Sequence, residues 1–160
     1  MLIAVTGANG FVGSHLCCHL TKEGHQPRLI QRRFAQGTFQ IPGIDSSTDW
    51  SDALSGVDVV IHCASRVHVL HDQVADPLAA YRAVNVAGTQ RLAIQAAELG
   101  VKRLIFLSSI KVNGEGTHSG MSFNGLSPAV PLDPYGISKL EAEQALYQVS
   151  AQTGLEVVIV

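Results

Sequence analysis

The feature that most constrains this chain lies at its start. A short apolar run, Leu2 to Thr6, breaks at Gly7, and further glycines follow at Gly10 and Gly13 inside TGANGFVG. From Phe11 to Glu23 apolar residues recur at helical spacing until Gly24, a residue suited to ending a helix. The segment therefore reads as strand, glycine turn and helix. Glycine tolerates the tight turn and a positive φ, and it lets backbone N–H groups at a helix N-terminus approach a pyrophosphate. Three glycines at this spacing also occur where a helix merely packs close to a strand. Their place between strand and helix favours a dinucleotide site.

The rest of the chain repeats the alternation. Pro27 to Gln31 predicts a second strand, Thr38 to Ile44 a weaker third, and Val57 to His62 a fourth whose apolar run suits burial on both faces. Asp76-Pro77 predicts a capped helix start, with the helix continuing through Ala83, Leu92 and Ala96 to Gly100. Arg103 to Ser108 reads as a fifth strand. A loop rich in glycine, serine and proline spans Asn113 to Asp133, a helix spans Pro134 to Thr153, and EVVIV after Gly154 is a sixth strand. Alternating strands and helices with short connections predict an α/β fold, a doubly wound parallel sheet of Rossmann type with helices on both faces. Because the chain ends in or just after a strand, residues 1–160 read as one nucleotide-binding domain whose C-terminal substrate part is missing.

Of the 160 residues, 46% are hydrophobic, enough for one sizeable core without disulfides or metal. A net charge of -2 with scattered charges gives no basic stripe, so nucleic acid is not expected as a partner. The apolar start is far too short for a signal or membrane segment, so the chain reads as cytoplasmic with no membrane partner. Cys17, Cys18 and Cys63 contain no CxxC pair and read as reduced structural thiols.

Two groups of residues carry chemistry. Where the second strand ends, an acid would bond the adenosine ribose hydroxyls of NAD; here stand Gln31, Arg32 and Arg33. No carboxylate repels a 2′-phosphate there, and arginine grips one through paired charge-assisted bonds, so NADP is favoured over NAD. The alternative is a solvated loop. Tyr135 and Lys139 are four apart at the start of a helix, and Ser109 ends the fifth strand on the same sheet edge as the glycine turn. Such a set suits proton exchange with an alcohol. An ammonium near the phenol in a partly dry site contributes roughly 4 kcal/mol, about three pKa units, which brings a tyrosine with a pKa near 10 towards neutrality.

TGANGFVGSH, NVAGT, SSIKVNG and YGISK together resemble the extended short-chain dehydrogenase/reductase family of nucleotide-sugar epimerases and dehydratases. The resemblance implies Ser109, Tyr135 and Lys139 as the catalytic set, with Tyr135 and Lys139 also touching the cofactor. It implies Gly7, Gly10 and Gly13 on the pyrophosphate, with Asn9, Phe11 and Val12 in the same segment. It further places His62 through Cys63 and Ala64 to Ser65 along the cofactor, Ile44 near adenine, and Asn85 ordering the site. HCASRVHVL and SSIKVNGEGT are most similar to bacterial UDP-sugar 4-epimerases and 4-ketosugar reductases. The implied partner is a nucleotide-sugar substrate, and the implied assembly a homodimer through the helices Pro77 to Leu99 and Pro134 to Thr153. Three residues depart from the pattern: Gln31 stands for an acid, Asn113 for a tyrosine, and no acid precedes Ile44. The first favours a reductase using NADPH. A non-catalytic NADP-sensing regulator is the competing class, and it has no use for the catalytic trio.

His15 with His19, and His68 with His71, have spacings that can hold a metal, but no third ligand accompanies either pair, so no metal is expected. Trp50 reads as packing.

Overall fold

The computed structural model describes residues 1–67, 74–117 and 119–160. Strands β1 (Leu2–Thr6), β2 (Gln26–Gln31), β3 (Phe39–Gln40), β4 (Val59–His62), β5 (Arg103–Phe106) and β6 (Glu156–Ile159) form one sheet. All pairings are parallel, in the order β3-β2-β1-β4-β5-β6. That is the doubly wound order expected from the alternation, with the chain reversing direction across the sheet beside β1.

Helices cover both faces. On one, Ala4, Ile30, Val60, Leu104 and Phe106 pack against Leu54 of α2 (Ser51–Leu54), Leu92 and Ala96 of α4 (Thr89–Glu98), and Ala142 and Leu146 of α5 (Pro134–Thr153). On the other, Ile3, Val5 and Ile61 meet Cys17, Leu16 and Leu20 of α1 (Phe11–Lys22). Each fully buried Leu, Ile, Val or Phe contributes roughly 1.5–3 kcal/mol relative to exposure. Trp50 is fully buried in the first core, and its backbone N–H donates to Gln95 Oε1 at 2.6 Å.

Three elements differ from expectation. β3 shrinks to two exposed residues, because Pro42 has no N–H for the ladder and the preceding Thr38 is turned back onto Ala35. The short α2 was not foreseen. The helix starting at Pro77 is not one regular cylinder: α3 (Pro77–Tyr81), capped by Asp76 Oδ1 on the Ala79 N–H, widens into a π-helical segment at Arg82–Gly88 before α4 begins. Such widening is rare and concentrates at functional sites. Here it coincides with the buried Asn85 and with Gly88, where a Cβ would lie 2.4 Å from Ile44 Cγ2. α5 keeps its expected bounds, from the Asp133 cap to Gly154 at φ 78°.

Candidate active site

Strand register assembles the site. Thr6 pairs with Ile30 and with His62, and His62 pairs with Phe106, so β1, β4 and β5 end level and β2 runs one residue further. The next residues, Gly7, Gln31, Cys63 and Leu107, all line one cleft of about 910 Å³ at the carboxyl edge of the sheet. Ligands of open α/β sheets enter at this edge.

The glycine turn forms one wall. Gly7 adopts φ +66°, and a Cβ on it would lie 2.9 Å from Ala64 N; one on Gly13 would lie 2.2 Å from Gly7 O. Gly7 O accepts the Gly10 N–H at 2.9 Å, which closes the turn in front of α1. Asn9, Phe11 and Val12 line the same wall, and Phe11 is 85% exposed. The cradle fits a dinucleotide: it leaves no room for side chains where a pyrophosphate would approach the start of α1.

Across the cleft lie Gln31, Arg32 and Ile44. Gln31 is buried and its amide donates to Thr38 Oγ1 at 3.3 Å; the Arg32 carbonyl is held by Gln40 Nε2 at 3.1 Å. Arg33 is exposed and does not line the cleft, so the two arginines part company. Ile44 reaches the cleft because Gly88 lets the loop approach the π-helical turn.

Cys63, Ala64 and Ser65 line the floor, but His62 does not. Instead of lying along a cofactor, its ring is buried, with Nδ1 2.6 Å from Thr6 Oγ1, Nε2 3.0 Å from Thr89 Oγ1, and a face stacked on Phe106. The reason is the pleat: the strand's last residue points into the core, and its successors leave the sheet. Burial first, then the Lys139 charge, push His62 down to about 3, so it is neutral.

Asn85 orders the site through its whole amide. Its Oδ1 accepts from the Ser65 hydroxyl at 3.0 Å and the Arg66 N–H at 2.8 Å; its Nδ2 donates to the Arg66 carbonyl at 3.1 Å and to Ser138 Oγ at 2.9 Å. Ser138 in turn donates to the Tyr135 carbonyl at 2.7 Å. The exit of β4 and the first turn of α5 are thereby locked together.

Ser109 and Tyr135 come together. Ser109 caps the 3₁₀ turn Ile110–Val112, and its hydroxyl and that of Ser65 hydrogen-bond the Tyr135 phenol. Gly136 permits this closeness, since a Cβ there would lie 2.7 Å from Lys111 O. The phenol is nevertheless raised, not lowered, because burial outweighs those two hydrogen bonds. Lys139 does not reverse that burial: it is itself buried and donates to Leu107 O at 2.5 Å, with Nζ 3.7 Å from the Phe106 ring centroid. Burial lowers it to about 7.

Sequence reasoning missed Ser138, Gly88, Gly136 and the Thr6–His62–Thr89 bridge. Their signals were present inside YGISK, NVAGT and the strand ends, but only tertiary proximity gives them meaning. His15 is exposed and its ring N–H donates to Phe11 O at 2.7 Å; His68 and His71 lie outside the described residues. Among the described residues no helix is long and apolar enough to cross a membrane.

Comparison with known proteins agrees with this geometry. A model of the NAD dependent epimerase/dehydratase family matches residues 3–160. The chain is 45% identical over 163 residues to a UDP-glucose 4-epimerase of Vibrio cholerae, covering 99% of this chain and 50% of that protein. It is similar to a short-chain dehydrogenase/reductase superfamily protein of Agrobacterium tumefaciens with bound NAD, at TM-score 0.83 and 30% identity, over 99% of this chain and 48% of that one. It also resembles a UDP-glucuronic acid 4-epimerase of Bacillus cereus in complex with UDP-glucuronic acid and NAD, at TM-score 0.84 and 27% identity, over 99% and 55%. The chain spans about half the length of the curated relatives it matches.

Proposed function

Because this chain belongs to the NAD dependent epimerase/dehydratase family, we propose that it is the dinucleotide-binding domain of a nucleotide-sugar 4-epimerase acting on a UDP-sugar. The observation that carries the reading is the Ser109–Tyr135 pair, which does not itself line the cleft but is joined through Ser65 to a cleft whose glycine wall fits a dinucleotide.

Gly7, Gly10 and Gly13 would hold the pyrophosphate, Ile44 the adenine side, and Cys63 to Ser65 the inner part of the cleft. When bound, the dinucleotide supplies the site that takes up and returns a hydride. Tyr135 Oη takes the proton of the sugar hydroxyl and gives it back, while Ser109 Oγ positions that oxygen. Lys139, four residues on along the same helix, would supply the positive charge that favours the phenolate. Asn85, through Ser138, keeps the turn bearing Tyr135 in place. The test is conversion of UDP-glucose to its C4 epimer by the protein with NAD. Tyr135→Phe is expected to lower the rate at least about 100-fold; undiminished turnover would sink the assignment.

A second reading, an NADPH-dependent 4-ketosugar reductase, is favoured by Gln31 and Arg32. The cleft presents a neutral amide and a guanidinium where a ribose-binding acid would otherwise stand, so NADP is the favoured cofactor. Fluorescence titration with NADPH and NADH decides it. Arg32→Ala is expected to weaken NADPH at least about tenfold and leave NADH unchanged, with Arg33→Ala nearly silent. Equal affinities in the wild type return NAD as the cofactor. A homodimer through the helices from Pro77 to Leu99 and Pro134 to Thr153, in a cytoplasmic protein, belongs to the same reading, and the mass in solution decides the former.

A further inference from the structure

Glu143 stands four residues after Lys139 on α5, so both side chains leave one face of the helix. Both reach the end of β5. The Lys139 ammonium donates to the Leu107 carbonyl at 2.5 Å, and the Ser108 hydroxyl donates to the Glu143 carboxylate. Leu107 and Ser108 are the two residues before Ser109. The helix that carries Tyr135 is therefore fastened to the strand end that carries Ser109 at consecutive positions.

The surroundings of Lys139 give this fastening an electrical consequence. Lys139 is 2% exposed and sits against the Phe106 ring. From β4 and its exit come His62, which is neutral, and Cys63, whose thiol burial pushes up to about 11. From β5 come the Phe106 ring, the Leu107 carbonyl and the Ser108 hydroxyl, none of them ionised. On its own helix, Tyr135 precedes it by a turn and Glu143 follows by a turn. Glu143 is thus the carboxylate of the set, and it is the largest influence opposing the burial that draws the lysine down.

We propose that Glu143 is a positioning residue for the Ser109, Tyr135 and Lys139 set: tethered by Ser108, it favours the charged form of the lysine lodged at the end of β5. The role rests on the reading of Lys139 as the cationic partner of Tyr135. It needs no contact between Glu143 and a substrate or cofactor. Its removal acts through the charge of a neighbour, which packing alone would not do.

The chain's 17.0 kDa suits direct observation of lysine side chains by carbon and nitrogen NMR, with Lys139→Met identifying the signal. In the ligand-free protein, Glu143→Gln is expected to move the Lys139 midpoint down by about one unit, a tenfold change in its proton affinity. Ser108→Ala, which frees the carboxylate, should move it the same way by less. A midpoint unmoved in both folded variants overturns the proposal. If Glu143→Gln does not fold, Ser108→Ala decides alone, and an unmoved midpoint there overturns it too. NADH binding is recorded in parallel. A wild-type protein that binds no nucleotide defeats the functional reading while the lysine shift still stands; an unmoved lysine with intact binding defeats this proposal alone.

Discussion

Gly13→Ala is expected to weaken NADH binding at least about 100-fold, because the added methyl has nowhere to go. Its Cβ would stand 2.2 Å from Gly7 O, 2.9 Å from Gly7 C and 3.0 Å from Ala8 Cα. All three are backbone atoms, so relief requires the turn itself to move. Gly7 O is the acceptor that closes the turn onto the Gly10 N–H, and displacing it reorients the donors at the start of α1. Forcing a methyl into such a site costs roughly 1–3 kcal/mol of stability as well. Gly24→Ala is the matched control. That residue has φ +78° with nothing within 4 Å of the added Cβ, so the change brings backbone strain of roughly 1–2 kcal/mol and no contact with the cleft. Titration with NADH, beside urea denaturation of both variants, separates the two costs. Binding by Gly13→Ala at wild-type strength would remove the glycine wall as the pyrophosphate site.

Much of this site was legible because it is written in local patterns. The glycine spacing, the strand that precedes it and the YxxxK pair are all relations within one or two elements, and the parallel order follows from their alternation. What the sequence concealed are relations between elements. Apolar spacing from Pro77 onward reads as helix whether the turns close at four or five residues, so the widened Arg82–Gly88 segment had no signature. Arg32 and Arg33 look equivalent as text, yet a strand end points successive residues apart, and Arg32 faces the cleft while Arg33 does not. Lys139 was expected to project beside Tyr135. Four-residue spacing permits that, but it equally permits the ammonium to turn into the sheet end and find Leu107 O. Glu143 drew no notice, because nothing in a helix sequence announces a serine thirty-odd residues upstream.

The architecture also concentrates risk. The residues that join the glycine turn, the cleft floor and the widened helix meet at one ring: Thr6 Oγ1 receives the Ala64 N–H at 3.2 Å and bonds His62, whose other nitrogen reaches Thr89. Those three contacts span β1, the exit of β4 and α4, so the glycine wall and the Asn85 segment share one neutral imidazole. A charged ring would have two donors facing hydroxyls that must then both accept, with no carboxylate against it among the described residues.

That arrangement makes the fold acid-labile in a defined window. The His62 pKa lies near 3 folded, against 6.5 as the ordinary value for an unfolded chain. Between those limits the unfolded chain binds a proton that the folded one refuses, so stability falls as pH falls. The contribution is complete above about pH 6.5 and is lost by about pH 3. Its slope approaches 1.4 kcal/mol per unit, and the whole amounts to roughly 5 kcal/mol, to order of magnitude. The aspartates held below their ordinary value, Asp45, Asp49, Asp58 and Asp133, start from 3.8 and so add their losses at lower pH. Urea denaturation at pH 6.5 and at 4.5 therefore isolates the histidine, with about 2 kcal/mol or more expected to vanish. His62→Gln, whose amide keeps a donor and an acceptor near the two threonines, should be less stable at pH 6.5 yet nearly flat down to 4.5. If the variant keeps the wild-type slope, the proton goes elsewhere, and the neutral ring is not what ties the glycine turn to the helix.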